Sequence, residues 1–314
     1  MNKRKLIVLT GPTAVGKTRL SISLAKEIGG EIISADSMQV YRHMDIGSAK
    51  ITEEEMDGVP HYLVDILDPK DNFNVFCFQK LAKEAMEQIY KNGHIPILVV
   101  GTGFYIQSVL YDIDFEDNEN DSGYRKELEA LGKEKGAGFL HEMLRKVDAR
   151  SAELIHANNV KRVIRALEYY EQTGMPISEH NDMERTKESP YNFCYFVLND
   201  RRELLYERIE KRVDQMLSHG LVEEVKKLKE MGCSMEHISM QGLGYKEILG
   251  YLEGDYDLEQ AVYLIKRDTR HFAKRQLTWF RRERDVIFID KEAFDYEDKK
   301  MIAYMKECMR GRNL

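Results

Sequence analysis

Short apolar runs alternate with helical patterns in the first third of this 314-residue chain: Leu6–Leu9, Ile32–Ile33 and Ile95–Val100 each lead into Gly, Ser or Thr and then a helix. That alternation predicts a parallel sheet with crossover helices. After Ile113 the pattern changes. An acidic loop, Phe115 to Asp121, precedes a stretch from Tyr124 to Gln172 that reads as helices, with apolar positions at Leu128, Leu131, Phe139, Met143, Leu144 and Leu154. A strand-like run, Tyr191 to Leu198, then returns and marks where the chain rejoins the first sheet. It ends at Asn199-Asp200 and opens a long helix, with Asp200 as the expected N-cap and Glu203 at the capping-box position. The organisation read from this pattern is α/β: a parallel sheet core from 1–113 and 199–314, with a helical insertion at 114–198; the loop Gly11 to Thr18 makes that core P-loop NTPase-like.

Between the first apolar run and the helical pattern Leu20-Ser21-Ile22-Ser23-Leu24-Ala25 stands Gly11-Pro12-Thr13-Ala14-Val15-Gly16-Lys17-Thr18, a complete G-x-x-x-x-G-K-[ST] phosphate-binding loop. Its glycines let backbone N–H groups curl around a phosphate. The following helix presents its positive end, Lys17 reaches terminal phosphate oxygens and Thr18 can hold Mg²⁺. Strand, loop and helix stand in the order this chemistry needs, so the chain is expected to bind a diphosphate or triphosphate.

A hydrophobic content of 43% over this length can fill one large core or two smaller ones. The formal charge of −7 argues against a general nucleic-acid coat protein, so any basic surface must be local. Cys77, Cys194, Cys233 and Cys308 lie far apart, which disfavours a zinc site and makes a disulfide framework unnecessary; a reducing cytoplasm is the expected setting. The basic start Met1 to Lys5 is followed by about four apolar residues, too few for a secretory core or a membrane span. No membrane association is expected.

A second informative stretch is Glu31 to Tyr41, E-I-I-S-A-D-S-M-Q-V-Y, a strand that delivers Asp36 to the carboxyl edge of the sheet, where open α/β sheets bind ligands. Asp36 could equally cap the next helix or hold Mg²⁺ as a Walker-B carboxylate does. The other candidate for that role, Ile97 to Val100, ends in Gly101-Thr102-Gly103 without an acid. The usual ATPase apparatus is therefore incomplete. Arg208 and Arg212 stand four apart on the helix after Asp200, beside the apolar stripe Leu205, Ile209, Val213 and Met216; one of them can reach a phosphate, although solvation explains many such arginines. Lys266 to Arg284 holds eight basic residues against Asp268 and Glu283. Read as a helix, Arg267, Arg270, Lys274 and Arg281 share one side opposite Ala261, Ile265, Phe272 and Trp279, a packed helix with a basic outer face suited to phosphate contact.

Together G-P-T-A-V-G-K-T, S-A-D-S-M-Q-V-Y, D-I-G-S-A-K at Asp45–Lys50, P-H-Y-L-V-D at Pro60–Asp65 and G-T-G-F-Y resemble the tRNA dimethylallyltransferase family. The later half agrees, with R-A-L-E-Y-Y at Arg165, R-I-E-K-R-V-D-Q-M at Arg208, Q-G-L-G-Y-K-E at Gln241 and A-K-R-Q-L-T-W-F-R at Ala273. Two departures stand out. The family's paired glycine before Thr102 is Val100-Gly101 here, which puts the backbone near Thr102 in question, and its H-P-N-D-like segment reads His156-Ala157-Asn158-Asn159, which can loosen a turn in the insertion.

The resemblance implies transfer of a dimethylallyl group from dimethylallyl diphosphate to the exocyclic N6 of an adenine beside the anticodon of tRNA, with Mg²⁺ as cofactor. Loop N–H groups, Lys17, Mg²⁺ and an arginine, for which the family motif favours Arg212 over Arg208, would stabilise the departing diphosphate. Asp36 becomes the candidate base for the N6 proton, Thr13 a partner of the bridging or leaving oxygen, and Thr102 a contact to the nucleotide. By the same resemblance the tRNA contacts are Asp36, Ser37, Met38 and Gln39; Arg125; Lys161, Arg162, Val163, Ile164 and Arg165; and Gln241, Gly242, Leu243, Gly244, Tyr245 and Lys246, where two glycines allow close backbone approach. The insertion would clamp the anticodon stem-loop, the adenine would be extruded from its stack, and a monomer is expected. A small-molecule kinase, an NTP-driven nucleic-acid switch and an adenylate prenyltransferase share parts of this pattern. The incomplete Walker-B strand counts against the switch, and the basic insertion against a free-nucleotide acceptor.

Overall fold

The computed structural model describes residues 3–115 and 123–314, so all but Phe115 of the acidic run to Asp121 lies outside the described residues. The chain forms two compact units, Met1–Asp112 with Pro190–Leu314, and Ile113–Ser189.

The first unit is built on six strands among the described residues: β1 (Arg4–Thr10), β2 (Gly30–Ala35), β3 (His61–Tyr62), β4 (Ile95–Val100), β5 (Tyr191–Asn199) and β6 (Val286–Asp290). They form one parallel sheet in the order β3-β2-β4-β1-β5-β6. Leu6, Ile7, Val8 and Leu9 are all fully buried. Their run is unbroken because β1 lies mid-sheet with both faces covered. Ile7 and Leu9 join Phe196 and Leu198 of β5 in a cluster with Leu20, Leu24, Met301 and Met305; pleating turns Leu6, Val8, Tyr195 and Val197 to the other face. The helices before the second unit are α1 (Lys17–Ile28), α2 (Glu53–Met56), α3 (Val75–Lys91) and α4 (Gly103–Leu110).

The second unit is helical: α5 (Gly123–Lys135), α6 (Ala137–Val147), α7 (Ala149–Leu154), α8 (Val160–Thr173) and α9 (Ile177–Thr186). Its core holds Leu128, Leu140, Leu144, Ala152, Val163, Ile164, Ala166 and Leu167. Two apolar positions counted in the sequence pattern point outward instead: Phe139 is 40% exposed, its neighbour Leu140 taking the inward place, and Leu154, the last residue of α7, is 73% exposed. The altered turn at His156 to Asn159 is closed, with Asn159 N–H donating to the His156 carbonyl at 2.8 Å.

The boundary of this unit differs from the sequence-based one at 198. Tyr191 to Val197 pair with Arg4 to Thr10, so the strand belongs to the sheet and the insertion ends at Ser189. The first unit then continues through α10 (Arg202–Ser218), α11 (Leu221–Glu230), α12 (Tyr245–Glu253), α13 (Leu258–Phe280) and α14 (Asp298–Gly311). Asp200 does not cap α10. The N-cap is Arg201, with no side-chain cap bond, because the Asp200 carboxylate is spent on Arg208 (2.5 Å) and the Tyr296 hydroxyl (3.2 Å). No helix among the described residues is long and apolar enough to cross a membrane.

Two side chains fasten loops to this frame. Glu224 of α11 accepts from the N–H groups of Asp45 (2.9 Å), Ile46 (2.7 Å) and Gly47 (3.0 Å), and from the Tyr245 hydroxyl (2.8 Å), which itself accepts from Ser48 N–H (3.0 Å). The D-I-G-S-A-K segment is thus wrapped around a carboxylate, and Lys50 ties it to P-H-Y-L-V-D by pairing with both Asp45 and Asp65. Glu283, beyond the end of α13, accepts from the Gln107 side chain of α4 at 2.8 Å, and burial pushes its carboxyl up to about 7 against the pull of Gln107 and Arg284.

Two outcomes follow from these fastenings. Glu224→Ala leaves adjacent N–H groups without their acceptor and should lower the unfolding free energy by about 1–3 kcal/mol, read as a fall in the urea midpoint; an unchanged midpoint would mean that water serves as well. Glu283 binds its proton more tightly folded than unfolded, so its contribution is complete below about pH 4.5 and is lost as pH rises towards 7. Melting temperatures of wild type should carry that downward slope, and Glu283→Gln should flatten it.

Candidate active site

The carboxyl ends of β1, β2 and β4 finish level, Thr10 and Ala35 both pairing with Val100, so Gly11, Asp36 and Gly101 leave the sheet along one edge. The Val100 carbonyl accepts the Thr10 hydroxyl at 2.6 Å, which keeps the edge regular where the family's paired glycine is missing. β1 sits between β4 and β5, at the switch in strand order where ligand crevices open.

The loop Gly11 to Thr18 runs from β1 into α1. Gly11 has φ +147°, and a Cβ there would lie 2.5 Å from the Leu198 carbonyl oxygen, so a side chain would drive the loop off β5. Side chains brace the loop from two further elements. Thr13 N–H donates to Gln276 Oε1 of α13 (2.9 Å), and the buried Lys291, just after β6, donates to the Val15 carbonyl (3.0 Å). Lys17 donates to the Gly11 and Pro12 carbonyls, both at 3.0 Å. Burial, reinforced by the neighbouring Arg212 cation and opposed by Asp36, lowers its ammonium to about 8. Burial also lowers the Arg212 guanidinium, again against the pull of Asp36. Lys17, Arg212 and Asp36 therefore lie in one electrostatic neighbourhood, and two desolvated cations there leave a deficit of negative charge that a diphosphate would fill. Of the two candidate arginines Arg208 is engaged with Asp200, and Arg212 is the one that faces Lys17.

Asp36 is exposed and folds a turn: its Oδ1 accepts from Met38 N–H at 2.9 Å. That turn is not the cap of a helix, and among the described residues Asp36 belongs to no group of three or more His, Cys, Asp or Glu that could hold a metal. Ser37 and Met38 are half-buried, and the Gln39 side chain works inside the fold, donating to the Ser48 (3.3 Å) and Ala49 (3.1 Å) carbonyls. Met38 meets the second glycine-containing segment directly, since a Cβ on Gly242 would lie 2.5 Å from its sulfur. The close approach at Gly242 is thus taken by Met38. Gln241 is exposed and Leu243 and Lys246 are half-buried, but Tyr245 is wholly buried against Glu224 and presents no side chain to a ligand. Thr102 is the N-cap of α4 yet makes no side-chain cap bond, so its hydroxyl is not spent on the helix. Tyr105, one turn further, has its phenol pushed up by burial, with Tyr41 and then Asp36 adding to it, which places the Thr102 end of α4 near Asp36.

In the helical unit α8 is two-sided. Lys161, Arg162 and Arg165 are exposed and make no ion pair among the described residues, whereas Val163 and Ile164 are core. The expected RNA contacts at Val163 and Ile164 are therefore withdrawn: their spacing turns them inward. Arg125 is also engaged within the unit. Its guanidinium forks onto Glu168 (2.8 and 2.6 Å), a bidentate pair that holds α5 to α8.

The basic helix of the sequence is α13, but its charges are not equivalent. Lys266 pairs with Asp214, Arg267 with Asp268 and Arg270 with Glu210, while Lys274, Arg281 and Arg282 are exposed and make no ion pair among the described residues. His271, Lys274, Arg275, Thr278, Trp279 and Arg282 line an open cavity of about 400 Å³. The inward stripe is Ala261, Ile265, Ala273, Gln276 and Phe280. A glutamine in a buried helical stripe is a signal that sequence reading could have used; Lys291 and Glu224 carried none, because their partners are backbone groups remote in sequence.

The IPP transferase family profile matches residues 39–283, and a profile described as isopentenyl transferase matches residues 4–71. The chain is 63% identical over 309 residues to a tRNA dimethylallyltransferase of Lachnoclostridium phytofermentans, covering 98% of each. Among solved structures it resembles the tRNA isopentenylpyrophosphate transferase of Bacillus halodurans, with a TM-score of 0.75, 45% identity and coverage of 99% of this chain and 98% of that one. It also resembles a eukaryotic dimethylallyltransferase acting on tRNA, with a TM-score of 0.80, 30% identity and coverage of 91% and 74% respectively. By its phosphate loop, its sheet order and its near full-length likeness to these enzymes, the chain belongs to the IPP transferase family of tRNA-modifying prenyltransferases.

Proposed function

We propose that this protein transfers a dimethylallyl group from dimethylallyl diphosphate to N6 of the adenine adjacent to the anticodon, position 37, giving N6-dimethylallyladenosine in tRNA. The observation that carries the reading is the convergence of Lys17, Arg212 and Asp36 at one edge of the sheet, a diphosphate cradle beside a carboxylate.

The allylic C–O bond breaks with its electron pair going to the diphosphate oxygen. Negative charge therefore builds on phosphate, where the loop N–H groups, Lys17 and Arg212 oppose it. Thr13, in the loop, donates its hydroxyl to the departing oxygen in this reading. The N6 lone pair forms the new C–N bond, and the surplus N6 proton passes to Asp36, whose Oδ1 is already oriented by Met38 N–H. Thr102 holds the base. Among the described residues no group of three or more His, Cys, Asp or Glu side chains could hold a metal alone. Mg²⁺ would be held at the Thr18 hydroxyl of the phosphate loop, beside the donor's diphosphate. When bound it supplies positive charge to the leaving group.

The acceptor must leave its stack to reach this edge, and single-stranded loops are where bases can be splayed out. The exposed cations of α8, Lys161, Arg162 and Arg165, and those of α13, Lys274, Arg281 and Arg282, are the phosphate contacts in this reading. Asp36 to Gln39 and the exposed part of Gln241 to Lys246 border the base. The cysteines are free, which fits a cytoplasmic enzyme, here taken to act as a monomer.

Three outcomes test the reading by mass spectrometry of unmodified tRNA incubated with dimethylallyl diphosphate and Mg²⁺. Asp36→Asn should keep donor binding and lower single-turnover transfer on the order of 10²–10⁴-fold; normal chemistry in that variant would remove Asp36 as the base. Lys17→Ala and Arg212→Ala should each slow transfer, and unchanged turnover in both would refute the cradle. Replacing Lys161, Arg162 and Arg165 together with alanine should weaken tRNA binding and flatten its salt dependence while donor affinity holds. Efficient prenylation of free AMP would move the assignment to a small-molecule enzyme.

A further inference from the structure

Gln276 lies on the inward stripe of α13, between the exposed Lys274 and Arg275 and the buried Phe280, and is itself 6% exposed. A buried primary amide must find partners for both its oxygen and its nitrogen, and this one does so across the mouth of the site. Its Oε1 accepts from Thr13 N–H at 2.9 Å, and its Nε2 donates to the Gly101 carbonyl at 2.8 Å. Only one orientation of the amide works, because turning it over would set N–H against N–H and oxygen against oxygen. The glycine is part of the same device: a Cβ on Gly101 would lie 2.7 Å from the Gln276 nitrogen and displace it.

What these two bonds hold is specific. Thr13 N–H belongs to the peptide plane that enters Thr13, and the Gly101 carbonyl belongs to the plane that enters Thr102. One side chain thus fixes the planes that deliver the two threonines, one in the leaving-group loop and one at the acceptor end of β4. Resting on the reading above, in which Thr13 meets the departing oxygen and Thr102 the adenine, we propose that Gln276 is a positioning residue for prenyl transfer, setting the separation of donor and acceptor from a helix whose outer face carries the basic residues. Its contribution is to geometry at the moment of reaction, where a displacement near 1 Å can cost on the order of 10²-fold in rate.

The test uses the full chain with unmodified tRNA, dimethylallyl diphosphate and Mg²⁺, and measures single-turnover transfer, donor and tRNA affinities, and melting temperature for each variant. Gln276→Met keeps the shape and loses both bonds; Gln276→Glu keeps an acceptor for Thr13 N–H and loses the donor to Gly101. We expect Gln276→Met to slow transfer by about 10–100-fold with both affinities within about threefold of wild type, and Gln276→Glu, which sets a carboxylate oxygen against the Gly101 carbonyl, to slow it at least as much. Thr13→Ala keeps the backbone N–H that Gln276 binds but removes the hydroxyl that the bond positions, so the loss from Gln276→Met should be smaller in a Thr13→Ala background than in wild type.

Transfer at the wild-type rate in both variants overturns the inference. So does a loss from Gln276→Met that is undiminished in Thr13→Ala, or a rate loss that disappears once cooling restores the folded fraction, which is the mark of a purely structural role. The glutamate variant keeps the question open to refutation should the methionine variant fail to fold. Wild-type protein that gives no prenylated adenine at all overturns the functional reading and this inference with it, whereas active wild type with unaffected variants removes the inference alone.

Discussion

Two cations brought out of water at one point on a sheet edge are the constraint around which the rest of this molecule is arranged. Burial lowers both Lys17 and Arg212, Arg212 lowers Lys17 further, and Asp36 offsets them only in part. Such a pair would relax outward if the backbone beneath it could move, since desolvated like charges gain by separating. The structure answers by fixing the loop and engaging the neighbouring arginine. Gln276 and Lys291 brace the loop at Thr13 and Val15, and Asp200 takes Arg208, so the cation that remains opposite the loop is Arg212. The resulting deficit of negative charge is what makes the loop a diphosphate site, and it exists because folding burial holds it in place.

The same logic governs the distribution of charge on the outside. A chain with formal charge −7 that must bind RNA has to keep its basic surfaces from being neutralised by its own acids. On α13 that neutralisation is local: Lys266, Arg267 and Arg270 are matched by Asp214, Asp268 and Glu210, while Lys274, Arg281 and Arg282 are left exposed. On α8 the core takes Val163 and Ile164 and leaves Lys161, Arg162 and Arg165 outward. Counterion release depends on cations that are not already satisfied, so these residues, rather than every Lys and Arg in the basic runs, define the electrostatic footprint.

Much of this was legible in the sequence because it rests on local order. Strand, glycine loop and helix are contiguous from Leu6 to Ala25, and apolar runs announce β4 and β5 with little error. Asp36 was legible for the same reason, being one residue past a buried strand. Where the reading went astray, a partner remote in sequence decided the matter. Asp200 looks like an N-cap until Arg208 and Tyr296 claim it, and Tyr245 sits in a motif whose purpose includes closing Glu224 around Asp45 to Ser48. The returning strand was read as rejoining the sheet, but the insertion boundary was set at the end of that strand, whereas its pairing with β1 puts the whole strand in the first unit.

Gln276 shows how a motif can hold a role that its composition conceals. In A-K-R-Q-L-T-W-F-R the arginines and lysine draw attention as the chemistry and the glutamine reads as filler, yet helical spacing turns Lys274 and Arg275 outward and Gln276 inward with Ala273 and Phe280. A polar side chain on that stripe costs stability unless both ends of its amide are paired. The partners it finds, Thr13 N–H and the Gly101 carbonyl, are backbone groups on either side of the reaction edge. A glycine at 101 and a glutamine at 276 are therefore one feature written in two places, and the helix that carries the basic face is joined through that feature to the loop that carries the leaving group.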